Sequence, residues 1–279
     1  AYRGVVQEAM VSHKESMTAC AESIERIGPM TALFPEAVDR DPLDFNRTPA
    51  WCVELLVPHL GQPKTILDAG CGDGAIGKAL EQCFQGAWIE GIEIDRARAE
   101  QADSTAAYDC VWETDWLSDK PTGFVNGHEF PLHDLIISNP PFGLAALDFL
   151  RCALARVRPG GTVAFLLPTH WDQDVDANCG PDAPKTKDRE LYQQRISHEQ
   201  YARQRFLDSI RLPDGREGYT KLAIVGGGPN PCRPSFRGGA ESATDRYSWF
   251  MFGGPWAGQP PRRLHAIPPA TPNPQTSLL

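Results

Sequence analysis

From Lys64 onward the chain alternates short apolar runs with helical stretches, and that alternation restricts its fold more than any other feature. Thr65–Ala69 is one such run, followed by a glycine-rich turn and a helix over 75–85. Ala87–Glu93 is the second, with a helix reaching about Ser104, and Tyr108–Trp112 is the third. Asp134–Ser138 and Thr162–Leu167 flank a helix over 144–157. Strands separated by helices in this way pair in parallel through right-handed crossovers. The predicted fold is therefore α/β, a doubly wound, mostly parallel, Rossmann-like sheet. Lys221–Val225 and Tyr247–Phe252 complete it as strands six and seven.

Around this body the sequence suggests three parts. Residues 1–38 form an N-terminal helical extension, because Val6, Met10, His13, Met17, Cys20, Ile24 and Ile27 make one helical stripe that Gly28-Pro29 stops. Such a stripe packs on its own domain or on a second copy, and the latter would make a homodimer. Residues 39–253 are the expected catalytic domain. Within it Thr48 is a suitable N-cap and Pro49 a suitable first residue for a helix. Residues 254–279, with seven prolines and little to bury, read as a disordered tail.

Composition excludes some classes of function. The longest apolar runs fall short of a membrane span, and the N-terminus lacks a signal-peptide pattern, so a cytoplasmic protein is expected. The eight cysteines form no C-x-x-C pair and no His stands at ligand spacing, so no metal is predicted. A net charge of −9 argues mildly against nucleic acid. Lys185–Arg216 runs the other way, with eight basic residues against five acidic ones, and is either a solvated helix face or a nucleic-acid contact.

Two motifs carry chemistry. Asp68-Ala69-Gly70-Cys71-Gly72-Asp73-Gly74 joins the first strand to its helix, where doubly wound sheets bind ligands and where backbone must approach a ligand closely. Glu93 ends the second strand 23 residues after Gly70, near the offset at which an acid takes a ribose hydroxyl pair. Asn139-Pro140-Pro141-Phe142 ends strand four as a stiff corner with an aromatic face. An aromatic amine is a poor nucleophile because its lone pair is delocalised into the ring. Two acceptors on its N–H bonds, the Asn139 side-chain oxygen and the Pro140 carbonyl, would favour a pyramidal nitrogen that can attack a methyl group.

On these residues the chain resembles class I S-adenosylmethionine-dependent methyltransferases from about Thr48 to Phe252. The resemblance implies a seven-stranded sheet with the last strand antiparallel, and S-adenosyl-L-methionine as cofactor. It places Asp68 near the donor's amino acid end, Gly70, Gly72 and Gly74 at its backbone, and Glu93 on its ribose. Ile94 would pack on the adenine and Asp115 would accept from its amine. Asn-Pro-Pro-Phe resembles the D/N/S-P-P-Y/F signature of amino-methyltransferases, with Asn139, Pro140, Pro141 and Phe142 as the catalytic corner. Thr48-Pro49 resembles the motif that covers the donor's methionine end in restriction-type DNA adenine methyltransferases, and the layout resembles compact phage and prophage enzymes. The implied activity is adenine-N6 methylation of DNA, in a bacterial or phage-infected cell. RNA guanine or adenine amines are the alternative, then a protein glutamine. A separate target-recognition domain is lacking, so 170–220 and 226–245, with Arg233 and Arg237, are the candidate target-binding insertions. A duplex target would have to flip its base to reach Phe142. Trp171 is either a pocket wall or a core residue.

Overall fold

The computed structural model describes residues 46–117, 124–125, 128–129, 132–141, 143–173, 189–225 and 247–265. The expected N-terminal helix, Phe142, most of the loop after Trp171, the loop 226–245 and the end of the expected tail lie outside the described residues.

Helix α1 (Ala50–Leu56) continues into a 3-10 turn, Val57–His59, and leads to β1 (Thr65–Ala69). There follow α2 (Ala75–Cys83), β2 (Trp88–Glu93), α3 (Arg96–Asp103) and β3 (Cys110–Glu113). A two-stranded hairpin, β4 (Phe124–Val125) and β5 (His128–Glu129), precedes β6 (His133–Ser138). Then come α4 (Leu144–Arg156), β7 (Val157–Pro168), α5 (Arg189–Ser209), β8 (Tyr219–Val225), β9 (Tyr247–Phe252) and β10 (Arg262–His265).

The main sheet has eight strands in the order β10-β8-β9-β7-β6-β1-β2-β3. The five strands from β3 to β7 are parallel, as their helical crossovers require. Strand β9 lies between β7 and β8 and is antiparallel to both. All six of its residues are buried, so a strand that arrives late in sequence is central in the sheet. Both faces of the sheet are covered, which explains why β1, β6 and β7 read as unbroken apolar runs instead of alternating ones.

Two expectations are corrected. The sheet has eight strands, not seven, because β10 adds to the outer edge in parallel with β8. Residues 254–265, expected to belong to the tail, are part of the fold. Gly254–Trp256 form a one-turn 3-10 helix, Trp256 is buried, and the Thr220 hydroxyl lies 2.6 Å from the Trp256 carbonyl and 2.8 Å from that of Gln259. Those polar contacts hold a proline-rich stretch against the fold until Arg262 can start a strand.

One buried pair makes stability depend on pH. His133 Nε2 and Glu90 Oε2 are 2.5 Å apart, and both side chains are buried, on the strands β6 and β2 that flank β1. Burial works against the Glu90 carboxylate, but His133, Trp88 and Trp112 outweigh it and hold Glu90 below the usual carboxylate range. A carboxylate whose folded value is depressed contributes stability above its unfolded value and loses it as pH falls through the folded one. Glu90→Gln should therefore destabilise the protein at pH 7, and the difference from wild type should shrink during acid titration below about pH 4. Thermal unfolding followed from pH 7 to pH 3 measures this, and parallel curves would rule the pair out.

Candidate active site

The turn after β1 is built around a buried acid. Asp68 is fully buried; its Oδ2 accepts from the Tyr108 hydroxyl at 2.7 Å, while its Oδ1 has no hydrogen-bond partner. Burial pushes the Asp68 carboxyl up to about 7; the Tyr108 bond opposes this, and the charges of Glu93 and Asp73 add to it. Gly70, Gly72 and Gly74 all have positive φ, at +74°, +56° and +83°. The N–H groups of Gly70 and Cys71 both donate to the Ile92 carbonyl, which fastens the turn to the end of β2.

Glu93, at that end, accepts from the Gly72 N–H and the Asp95 N–H, each at 2.9 Å. Its Oε1 is also paired with Arg98 at 3.5 Å. Ile94 follows it and is 53% exposed, unusual for so large an apolar side chain. The Thr114 N–H donates to the Glu93 carbonyl, so Asp115 emerges beside this end of β2, half-buried, with its Oδ1 accepting from the Leu117 N–H. An orphaned buried carboxylate oxygen, glycines that admit close backbone approach and an exposed aliphatic platform between two acids together fit S-adenosylmethionine.

The Asn139 corner is joined to this turn directly through Ser138 and indirectly through the segment Asn46–Thr48. The Ser138 hydroxyl donates to the Ala69 carbonyl at 2.6 Å, tying the end of β6 to the end of β1. The Asn139 amide nitrogen donates to the Asn46 carbonyl at 2.9 Å and to the Thr48 hydroxyl at 3.0 Å. Arg47 between them pairs with Asp73 of the glycine turn at 2.8 Å. The Asn46 carbonyl can only accept, so it fixes which end of the amide is nitrogen, and the Asn139 oxygen must face the other way. Pro140 is buried and Pro141 half-buried behind it, while Phe142 lies outside the described residues.

This geometry corrects the reading of Thr48. It does not cap α1: Pro49, in an extended conformation, holds the N-cap position without a side-chain bond, and the buried Thr48 hydroxyl serves Asn139 instead. Thr48→Val keeps the shape and removes that acceptor. We expect turnover to fall about fivefold, the worth of one ordinary hydrogen bond, with thermal stability nearly unchanged. Unaltered turnover in a methyl-transfer assay would show that Asn46 orients Asn139 alone.

The basic segment is less available than its count suggests. Arg211 pairs with Glu217 at 3.1 Å and Asp208 at 3.5 Å, and Arg216 pairs with Asp214 at 2.7 Å. Arg203 lies over the ring of Trp171, which is buried edge-on against Phe250 and is therefore a core residue. Arg205 lies over the exposed Tyr201. Helix α5 also reaches the acceptor corner, since a Cβ on Gly143 would stand 3.5 Å from a Glu199 carboxylate oxygen.

Residues 51–173 match the methyltransferase small domain family. This part of the chain is a class I S-adenosylmethionine-dependent methyltransferase domain. The methyltransferase domain is 34% identical over 137 residues to ribosomal RNA small subunit methyltransferase C of Chromohalobacter salexigens, covering 44% of this chain and 39% of that one. It is 36% identical over 91 residues to the tRNA1(Val) (adenine(37)-N6)-methyltransferase of Porphyromonas gingivalis, covering 30% and 34%. Ribosomal protein L11 methyltransferase of Dechloromonas aromatica is 32% identical over 114 residues, covering 41% and 36%. The chain thus spans between a third and two-fifths of the length of these relatives. Among the described residues, no helix is long and apolar enough to cross a membrane, and no cluster of His, Cys, Asp and Glu could hold a metal ion.

Tyr108, Asn46, Arg47 and Ser138 are site residues that motif reading did not single out. Their partners lie between 26 and 93 positions away, so no local pattern announces them.

Proposed function

We propose that this chain methylates an exocyclic amine of a nucleobase in RNA. The observation that carries the reading is the orientation of Asn139: its nitrogen is taken up by Asn46 and Thr48, which leaves its oxygen to accept an N–H from the substrate. The Pro140 carbonyl accepts the amine's other N–H. With both N–H bonds held, the nitrogen lone pair leaves conjugation and points at the donor side of the corner. Bound in the turn of Asp68, Gly70, Gly72, Gly74, Glu93, Ile94 and Asp115, the donor supplies an electrophilic methyl on a positively charged sulfur. The protein's contribution is placement and fixed dipoles, with no covalent intermediate and no strong base. Asn46 and Thr48 hold Asn139 in place, Pro49 covers the donor's methionine end, and Phe142 supplies a face for the base.

RNA is placed ahead of DNA because the relatives named for a nucleic-acid substrate are ribosomal and transfer RNA enzymes. Adenine in DNA is the second reading. One observation favours it: Thr48, of the Thr-Pro pair that resembles restriction-type enzymes, bonds the catalytic Asn139.

Methyl transfer from a labelled donor to unmethylated ribosomal RNA, transfer RNA, DNA and total protein, followed by nucleoside and amino acid analysis, tests the proposal. A methylated adenine or guanine amine from RNA is expected. Product on DNA alone would establish the second reading, and label only on protein would remove both.

A further inference from the structure

A tyrosine with no assigned role lies beneath the donor turn. Tyr108, just before β3, is buried; its hydroxyl accepts from the Gly77 N–H at 3.0 Å and donates to Asp68 at 2.7 Å. The chain makes room for the ring with glycine on three sides. A Cβ on Gly77 would lie 2.2 Å from the ring, one on Gly91 at 3.1 Å and one on Gly74 at 3.2 Å. Side-chain atoms essentially never approach as closely as the first of these. The ring therefore threads between the glycine turn, the first turn of α2 and the middle of β2, and arrives with its one proton aimed at Asp68.

We propose that Tyr108 is a positioning residue of the donor site, whose hydroxyl fixes the Asp68 carboxylate so that its second oxygen is presented to the ammonium group at the amino acid end of the donor. This rests on the donor reading given above. The phenol stays protonated, because burial and the adjacent Asp68 charge push it well above its ordinary value, so it remains a donor at every working pH. The charged groups that act on Asp68 both disfavour its ionised form: Glu93 from the end of β2 and Asp73 from the turn itself; the Cys71 thiol beside them is kept neutral by burial. The two cations nearby are each engaged, Arg47 with Asp73 and Arg98 with Glu93 at 3.5 Å. Tyr108 is thus the group that favours the carboxylate, against burial and two like charges that oppose it.

The sign follows. Asp68, raised to about 7, must lose its proton to bind a cation, so donor affinity should rise with pH through that region. Removing the Tyr108 hydroxyl removes an influence that lowers the carboxyl, so the rise should move to higher pH.

The test is calorimetric binding of S-adenosylhomocysteine, which has the same amino acid end, to the full chain and to Tyr108→Phe between pH 5.5 and 8.5. Titration of the ligand's own amine is common to both proteins and cancels. We expect the midpoint of the affinity rise to move up by about one pH unit in Tyr108→Phe, as loss of one hydrogen bond to a charged group predicts. Affinity lowered by the same factor at every pH, or left unchanged, would overturn the assignment and leave Tyr108 a packing residue. Should Tyr108→Phe fail to fold, Asp68→Asn with Tyr108 intact answers the question: the profile should lose this rise, and an unchanged midpoint overturns the proposal. Wild-type protein that binds no ligand at any pH would overturn the donor reading itself. No acceptor is present in these measurements, so the choice between RNA and DNA cannot affect them.

Discussion

Asn139→Ala should lower turnover by about 10²–10³-fold or more while leaving donor affinity within a few-fold. The size comes from removing one fixed dipole at the reacting nitrogen, which in comparable sites costs that much. The separation from donor affinity comes from the architecture: Asn139 bonds to Asn46 and Thr48, whereas the donor turn is fastened by Ile92, Glu93 and Ser138. A second substitution makes the test sharper. Asn139→Asp keeps an acceptor oxygen and resembles the Asp variant of the same signature. Here it would place a carboxylate oxygen where the amide nitrogen now donates, 2.9 Å from the Asn46 carbonyl. Two acceptors at that distance repel, so Asp should fail to restore activity unless Asn46 moves. Single-turnover kinetics with saturating donor, beside donor binding by calorimetry, separates these outcomes. Loss of donor affinity in Asn139→Ala would remove the residue from the acceptor side.

The largest effect on stability is expected from Gly77→Ala. Helix propensity alone would make it favourable by about 1 kcal/mol, because glycine in a helix interior costs that much relative to alanine. Packing reverses the sign. The new methyl would stand 2.2 Å from Cζ of Tyr108 and 2.5 Å from both Cε2 and the hydroxyl. The ring cannot swing aside without breaking its bonds to Asp68 and to Gly77 itself. Overpacking of this kind typically costs about 1–3 kcal/mol and occasionally more. We place Gly77→Ala at about 3 kcal/mol, which lowers Tm by about 6–12 °C in a domain of this size. The cost should nearly vanish on a Tyr108→Leu background, because the clash belongs to the pair. Thermal unfolding of the four proteins checks it, and additive effects would show that the strain lies elsewhere.

The parallel half of the sheet was legible in the sequence because β1, β2, β6 and β7 are buried on both faces over most of their length and each crossover helix starts after a turn residue. The glycine turn, Glu93 and the end of β6 were legible for the same reason: they occupy fixed places in a repeating unit. The outer edge was not. Pro255, Pro260 and Pro261 make residues 254–261 resemble a tail, and the groups that hold them down, Thr220, Arg216 and Glu217, stand some forty positions earlier. Thr48 misled in another way. Its position before a proline is what an N-cap looks like, and the preference was overridden by a partner 91 residues away. The positive excess over Lys185–Arg216 was real as a count, yet at Arg211 and Arg216 it is matched by Asp208, Glu217 and Asp214. Sequence composition reports charge without reporting who stands next to it.

The central place of β9 has a consequence for the order in which the protein assembles. Trp249, fully buried on that strand, donates its indole N–H to the Cys52 carbonyl of α1, closing a span of 197 residues. Helix α1 follows directly on the Asn46–Thr48 segment that orients Asn139. Contacts of such long sequence separation form late, because chain entropy must be lost before they are made. During synthesis the glycine turn, made from residues 65–115, can form well before Trp249 emerges, whereas the helix that follows the Asn46–Thr48 segment lacks its bond to Trp249 until then. A growing chain would complete its glycine turn before it completed the packing behind Asn139.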